Sequence, residues 1–284
     1  MDPLRPQDAG VDVTLVIPAY NVETRIVPLL QSARDQQGAK VETLVVDDAS
    51  TDRTAEVAEH WGARVVRNEV NLDRSEARNV GARAARGKYI WFIDSDMELT
   101  PGIAQAAWEA CEREQLDGLV IPERIRPANL WAKSRNLEFI INDSDEERFV
   151  LRFVRRDFFL QTKGFDASLI AAEDYDYHRR MLDHGARYRL LTGWHVWHHE
   201  LTSMRRVLKK YYYYGLTMSL YIRRHKQLAV RQFSFPRRGY LKRLDLLLGH
   251  PWLTASLFFF KTLQYAAGLA GIVMAWLGWD RAKK

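Results

Sequence analysis

Tyr89-Ile90-Trp91-Phe92-Ile93-Asp94-Ser95-Asp96 closes an apolar run with two carboxylates spaced i, i+2. The apolar part reads as a buried strand. Carboxylates are costly inside such a strand, so Asp94 and Asp96 belong at its end. Their oxygens are hard ligands, suited to Mg²⁺ or Mn²⁺ that also holds phosphates. A solvated acidic turn after a strand has the same composition, so the pair alone leaves both readings open.

The elements that must position this pair alternate. Residues 13–17 form a β-branched run stopped by Pro18, and 41–46 form a second run ended by Asp47-Asp48. Residues 64–67 and 89–93 supply two more strands. Helical spacing recurs over 24–36, with Asn21 as its expected cap, over 52–61 closed by Gly62, and over 73–86. Asp73-Arg74-Ser75-Glu76 resembles a capping box, and Thr100-Pro101 resembles a cap with proline at the first helical position. Single helices between strands predict parallel βαβ units, whose ligands bind beyond the C-terminal strand ends. Asn21, Asp47, Asp48, Asp94 and Asp96 all fall there. Neither G-x-G-x-x-G nor G-x-x-x-x-G-K-S/T occurs, which argues against a dinucleotide fold and a P-loop.

Charge is divided along the chain. Residues 1–200 carry 26 Lys and Arg against 34 Asp and Glu, a net of −8. Residues 201–284 carry 16 against Asp245 and Asp280 alone, a net of +14, which gives +6 overall. A basic C-terminal part implies an anionic partner. Cys111 is the only cysteine, so no intramolecular disulfide and no cysteine-based zinc site forms, as fits a reducing compartment. The stretch from Met1 is polar, with Pro3 and Pro6, and reads as no secretory leader.

Five ordered motifs resemble glycosyltransferase family 2. They are Val16-Ile17-Pro18-Ala19-Tyr20-Asn21, Val45-Val46-Asp47-Asp48-Ala49-Ser50-Thr51-Asp52, Ala77-Arg78-Asn79-Val80-Gly81, Asp94-Ser95-Asp96 and Glu173-Asp174. The resemblance covers roughly residues 12–200. It implies the GT-A fold: α/β, with a Rossmann-like, mixed, mostly parallel sheet flanked by helices. A nucleotide-diphosphate sugar would lie across the strand ends. Pro18, Ala19, Tyr20 and Asn21 would contact base and ribose, and Asp48, beside Asp47, would accept from the base imide. Arg78 would meet base or diphosphate, a task that suits a guanidinium. Asp94 would lie near the ribose or behind the metal ligands, and Ser95 would contact the nucleotide sugar. Asp96, with Asp94 and a histidine, would hold Mn²⁺ or Mg²⁺ on the two phosphates. His198 matches that histidine best, with His199 next and His195 as the third in the cluster. Asp174 would be the general base for an acceptor hydroxyl, with Glu173 orienting the acceptor, and in-line displacement would invert the anomeric centre.

Each residue also has a plain structural reading. Asp48 suits a turn, Arg78 a surface charge, Glu173-Asp174 an acidic first helical turn, and a histidine among tryptophans a packed ring.

The sequence departs from the family pattern in two places. The glycine expected before the Ala-Arg-Asn segment falls at or near Asp73, and the usual Gly-Gly before Phe-Asp is Lys163-Gly164. The Q-x-x-R-W of processive synthases is replaced by His178-Arg179-Arg180-Met181, which implies transfer of one sugar per encounter. Residues 122–150 match no motif and are expected to shape the acceptor pocket.

Residues 204–224 read as an amphipathic helix. Its stripe is Val207, Tyr211, Tyr214, Met218 and Tyr221, with Arg205, Arg206, Lys209, Lys210, Arg223 and Arg224 as its charge. Lys226, Arg231, Arg237, Arg238, Lys242 and Arg243 continue the basic series. Basic residues among tyrosines suit single-stranded nucleic acid or an anionic bilayer. Residues 252–279 carry only Lys261 as a charge, are borderline for a span, and contain Gly268, Gly271 and Gly278. They favour an interfacial or re-entrant anchor over a span, and over a helical cap or an oligomer contact.

The expected organisation is a catalytic domain over 1–200, with a nucleotide-sugar half near 12–121 and an acceptor half near 122–200. A basic, apolar helical membrane-associating extension would follow over 201–284. The expected function is metal-dependent, inverting, non-processive transfer from a nucleotide-diphosphate sugar, UDP favoured over GDP or dTDP. The acceptor would be a glycan or polyprenyl lipid, at a hydroxyl or phosphate. The protein would be cytoplasmic, peripheral or monotopic at the inner membrane face, with no nucleic acid partner. A non-catalytic sugar-nucleotide-binding membrane partner is the alternative. A nucleotidyltransferase is disfavoured, because Pro18-Ala19-Tyr20-Asn21 is no glycine-rich phosphate loop.

Overall fold

The computed structural model describes residues 10–199, 203–233 and 238–278. Met1, Pro3, Pro6, Arg237, Trp279, Asp280 and the side chain of Arg231 lie outside the described residues. Strands are β1 (Val13–Ala19), β2 (Val41–Asp47), β3 (Arg64–Arg67), β4 (Tyr89–Phe92), β5 (Met97–Leu99), β6 (Gly118–Val120), β7 (Glu123–Ile125), β8 (Phe153–Arg155), β9 (Tyr188–Leu190) and β10 (Val196–His198). Helices in the first half are α1 (Val27–Arg34), α2 (Thr54–His60), α3 (Asp73–Ala84), α4 (Ile103–Glu114), α5 (Leu130–Asn142), α6 (Arg156–Gln161) and α7 (Glu173–Asp183). The rest are α8 (Met204–Thr217), α9 (Ser219–Arg224), α10 (Lys226–Phe233), α11 (Arg238–Lys242), α12 (Leu244–Gly249) and α13 (Pro251–Trp276).

The chain forms two compact units. The first comprises 1–123, 150–167 and 177–198; the second comprises 124–149, 168–176 and 199–284. The division differs from a single cut at residue 200. Residues 124–149 and 168–176 group with the C-terminal helices because α5 packs against α13, and because Leu169 joins Tyr221 and Ala229 in one apolar cluster.

In the first unit a seven-stranded sheet has the order β3-β2-β1-β4-β8-β6-β9. β1 is parallel to β2 and β4, and β2 to β3. β8 runs antiparallel between β4 and β6, so the sheet is mixed. All seven residues of β1 are buried, as a central strand covered on both faces requires. Pro18 is tolerated because it lies beyond Val16, the last β1 residue in register with β4. Gly87 lets the chain enter β4: a Cβ there would sit 2.5 Å from the Thr14 backbone N. Tyr89 and Trp91 pack on Phe153, and Phe92 on Phe159 and Phe165.

Three expected caps are corrected. Asn21 does not cap α1, which begins at Val27 behind Ile26. Its Oδ1 instead accepts from the N–H groups of Thr51 and Asp52. No side chain caps α3 at Leu72, and Glu76 accepts from Asn79 and Arg83 within the helix, so the capping box does not form. Thr100 does not cap α4, which starts after Gly102 at φ 80°; its hydroxyl donates to His195 O. For Asn21 and Thr100 a partner distant in sequence outcompetes the local one; for Glu76 other side chains of the same helix do.

In the second unit the expected long helix is broken at Met218 into α8 and α9. α13 packs on α8 through glycines. A Cβ on Gly215 would lie 2.0 Å from Gly268 O, and one on Gly271 would lie 2.1 Å from Tyr212 O.

Candidate active site

β1, β2 and β4 run parallel, so the turns after them share one edge of the sheet. Those turns carry Tyr20, Asn21, Asp48, Asp94, Ser95 and Asp96. Pro18 and Ala19 are buried in β1 and offer only backbone. Tyr20 is 50% exposed at the strand mouth. Asn21, at φ 51°, joins two turns: its N–H donates to Ser50 Oγ at 3.0 Å, and its Oδ1 accepts from Thr51 N at 2.8 Å. Asp47 accepts from Ser50 N at 3.1 Å and so shapes its own turn. Asp48 is buried, and its Oδ1 accepts from Asn68 Nδ2 at 2.7 Å and Leu72 N at 2.9 Å. That fixes the carboxylate plane at the edge of the sheet.

Arg78 is buried, not a surface charge. Its Nη2 donates to Asp94 Oδ1 at 2.7 Å, and its guanidinium lies 5.2 Å from the Phe165 ring centroid. Arg152 Nη1 donates to Asp94 Oδ2 at 2.7 Å. Burial raises the Asp94 carboxyl, but Arg152 and then Arg78 outweigh it and hold it well below the usual carboxylate range. With a guanidinium on each oxygen, Asp94 orders two cations.

Asp96 faces another set. Its Oδ2 accepts from Arg25 Nη2 at 2.9 Å, and its Oδ1 lies 3.6 Å from His198 Nε2. On the far side, His198 Nδ1 is 3.1 Å from Glu123 Oε2. Burial penalises the charged imidazole, but hydrogen bonds to Asp96 and Glu123 push it up to about 10. Burial also raises Asp96, yet His198 more than offsets this and the carboxyl lies below its ordinary value.

This donor set fits a divalent ion. Two ligand atoms 3.6 Å apart lie within the about 4 Å that one ion spans at bonds near 2.1 Å. Glu123 would orient the imidazole, as carboxylates behind metal-bound histidines do. Among the described residues no cluster of three or more His, Cys, Asp and Glu closes on one point, so substrate oxygens and water would complete the shell. Binding an ion would displace the imidazole proton. Of the three histidines, His198 alone is placed against Asp96; His195 packs edge-on against Trp197 at 4.6 Å, and His199 is exposed.

The loop before α7 begins in the first unit. Asn79 clamps it, donating from Nδ2 to Phe165 O at 2.9 Å and accepting Phe165 N at 2.8 Å. Lys163 and Gly164 both take positive φ, 63° and 64°, which explains why Gly-Gly suits this turn and what Lys163 must accommodate. In the second unit, Glu173 and Asp174 open α7, Glu173 buried and Asp174 half-buried. Asp176, one position past Tyr175, is buried and paired with His225 Nε2 at 2.9 Å.

Sequence reading missed Arg25, Glu123 and Arg152. Arg152 left a signal: it interrupts the apolar run Phe149-Val150-Leu151-Arg152-Phe153-Val154, where a charge needs a partner. Arg25 and Glu123 left none.

Glycosyl transferase family 2 matches residues 14–172, more than half of the chain. An uncharacterized glycosyltransferase of Haemophilus influenzae is 25% identical over 181 residues, 60% of this chain and 62% of its own length. The chain thus spans less than two thirds of that relative. Among solved structures, a mannosyltransferase from Pyrobaculum calidifontis in complex with GDP-Man and Mn²⁺ superposes with TM-score 0.66. It is 19% identical, over 99% of this chain and 89% of that one. TarS 1-349 of S. aureus in complex with UDP-GlcNAc gives TM-score 0.58 at 17% identity, over 96% and 93%. The mixed, parallel-rich sheet with its C-terminal apolar helix is the GT-A fold with an extension.

Proposed function

Because the chain belongs to glycosyltransferase family 2, we propose that it moves one sugar per encounter from a nucleotide-diphosphate sugar to an acceptor, with inversion. The observation that carries this reading is the Asp96–His198–Glu123 line beside the Arg78–Asp94–Arg152 cluster, at one edge of the sheet. Asp48 and the Pro18–Asn21 turn read the base, with uracil favoured. Arg78 and Arg152, ordered by Asp94, face the diphosphate. Asp96 and His198 hold Mn²⁺ or Mg²⁺, which when bound neutralises charge growing on the departing nucleoside diphosphate. Asp174 takes the proton of the acceptor hydroxyl as that oxygen attacks the anomeric carbon, and Glu173 orients the acceptor. The acceptor is a polyprenyl lipid or lipid-linked glycan at the cytoplasmic face of the membrane, reached by a protein held at that surface.

Titration of UDP, GDP and dTDP against the full chain, with and without Mn²⁺, tests this. One nucleotide is expected to bind tightly only with the ion, and Asp96→Asn is expected to lose that dependence. Equal binding by the variant would remove the assigned ion site. Asp174→Asn is expected to keep donor binding and lose transfer; transfer at the wild-type rate would overturn its role as base.

A further inference from the structure

α13 buries Lys261 and Gln264 beside Leu257 on its packed side and leaves large apolar residues on its open side. Its buried positions include Lys261 and Gln264, at 7% and 1% exposure. Trp252, Phe259, Leu269 and Trp276 stand out at 84%, 60%, 62% and 78%. A helix on a water-soluble body does the reverse. The inward charge is satisfied: Lys261 Nζ lies 2.6 Å from Glu138 Oε1, and Glu138 also accepts from Arg135. Gln264 has no partner for either amide atom among the described residues, a second polar group spent on the packed side.

The contacts run the length of the helix. Ser256 bonds Ser134, Phe260 meets the Trp131 ring edge-on at 4.6 Å, and Gly268 and Gly271 approach α8. α13 is about 39 Å long, enough to cross a bilayer by length. Lys261 and Gln264 sit near its midpoint. A crossing would put them, with Glu138 and Arg135, at the bilayer centre. It would also pull in α8, whose Arg205, Arg206, Lys209 and Lys210 are exposed. Charges there are strongly disfavoured.

We propose that the open face of α13, with exposed Leu244 and Leu248 of α12, docks on one leaflet of an anionic bilayer, the helix lying along it. The partner is a lipid surface because the open face of α13 carries Trp252, Phe259, Leu269 and Trp276, apolar and aromatic side chains suited to the headgroup–acyl boundary. The segment 201–284 also carries a net charge of +14, complementary to anionic headgroups. This deepens the membrane placement proposed above and is independent of the transfer chemistry.

The test is flotation of the full chain with phosphatidylcholine vesicles, with and without phosphatidylglycerol. Anionic vesicles are expected to capture the protein at least tenfold better, and Phe259→Glu with Leu269→Glu to reduce capture by tenfold or more. Metal-dependent nucleotide binding by the same variant reports that it is folded, so a missing nucleotide site and a missing lipid site read out separately. Trp252→Cys and Trp276→Cys, each combined with Cys111→Ala, are then treated on sealed vesicles with an impermeant maleimide. Equal labelling of both from outside is expected; protection of one end until detergent is added would mean a span and overturn the proposal. Capture unchanged in the double variant would overturn it too, as would burial of both tryptophans in a dimer that ignores vesicles.

Discussion

Arg152 donates to Asp94 Oδ2 at 2.7 Å across 58 residues of chain, from the position just before β8, the strand antiparallel to the one that Asp94 follows. The bond balances a half-buried carboxylate that Arg78 also holds. Arg152→Gln is expected to lower stability by about 2 kcal/mol, the scale of a hydrogen bond to a charged group. It is also expected to weaken nucleotide-diphosphate binding at least tenfold while the nucleoside binds as before. Urea melts and calorimetry check the two parts; equal weakening for nucleoside and diphosphate would place Arg152 outside the phosphate region.

His225 stands against Asp176, two positions after the residue assigned as base. Tyr175 packs against Phe233 and under Arg148, so the first turn of α7 is held from several sides. His225→Ala is expected to lower kcat tenfold or more with the donor KM unchanged, and His225→Gln to recover part of it. A donor KM that rises in step with the fall in kcat would mean a general loss of structure.

His178 provides a pH dependence away from the ion site. Burial, then the Arg179 charge, depresses its imidazole from near 6.5 to about 4. The unfolded chain therefore binds the proton first. The stability tied to the neutral ring is complete above pH 6.5 and is lost as pH falls toward 4. It amounts to on the order of 3 kcal/mol. His178→Phe is expected to flatten the stability curve over that window; an unchanged slope would assign the acid sensitivity elsewhere.

Gly271 meets Tyr212 O so closely that an added Cβ would lie 2.1 Å from it, and that atom is backbone. Gly271→Val is expected to cost about 1–3 kcal/mol through forced separation of α8 and α13. Thermal melts compared with Ala266→Val, on the exposed side of the same helix, check this; equal shifts would deny the close crossing.

The sequence by itself determined the strand-helix alternation through β4 and the strand-end positions of Asp48, Asp94 and Asp96. Those follow from periodicity and from the cost of burying charge, both local properties of the chain. It also isolated the histidine cluster and the basic, apolar C-terminal part. Tertiary structure decided the rest. It placed β8 between β4 and β6, and it chose His198 among three histidines. It showed that α13 turns its lysine inward. The partners that set the chemistry of the site are far apart in sequence: Arg25 and Asp96 by 71 residues, Glu123 and His198 by 75. No periodicity encodes such a pairing. It exists only once the sheet brings strand ends together and burial makes an unpaired charge too costly to keep.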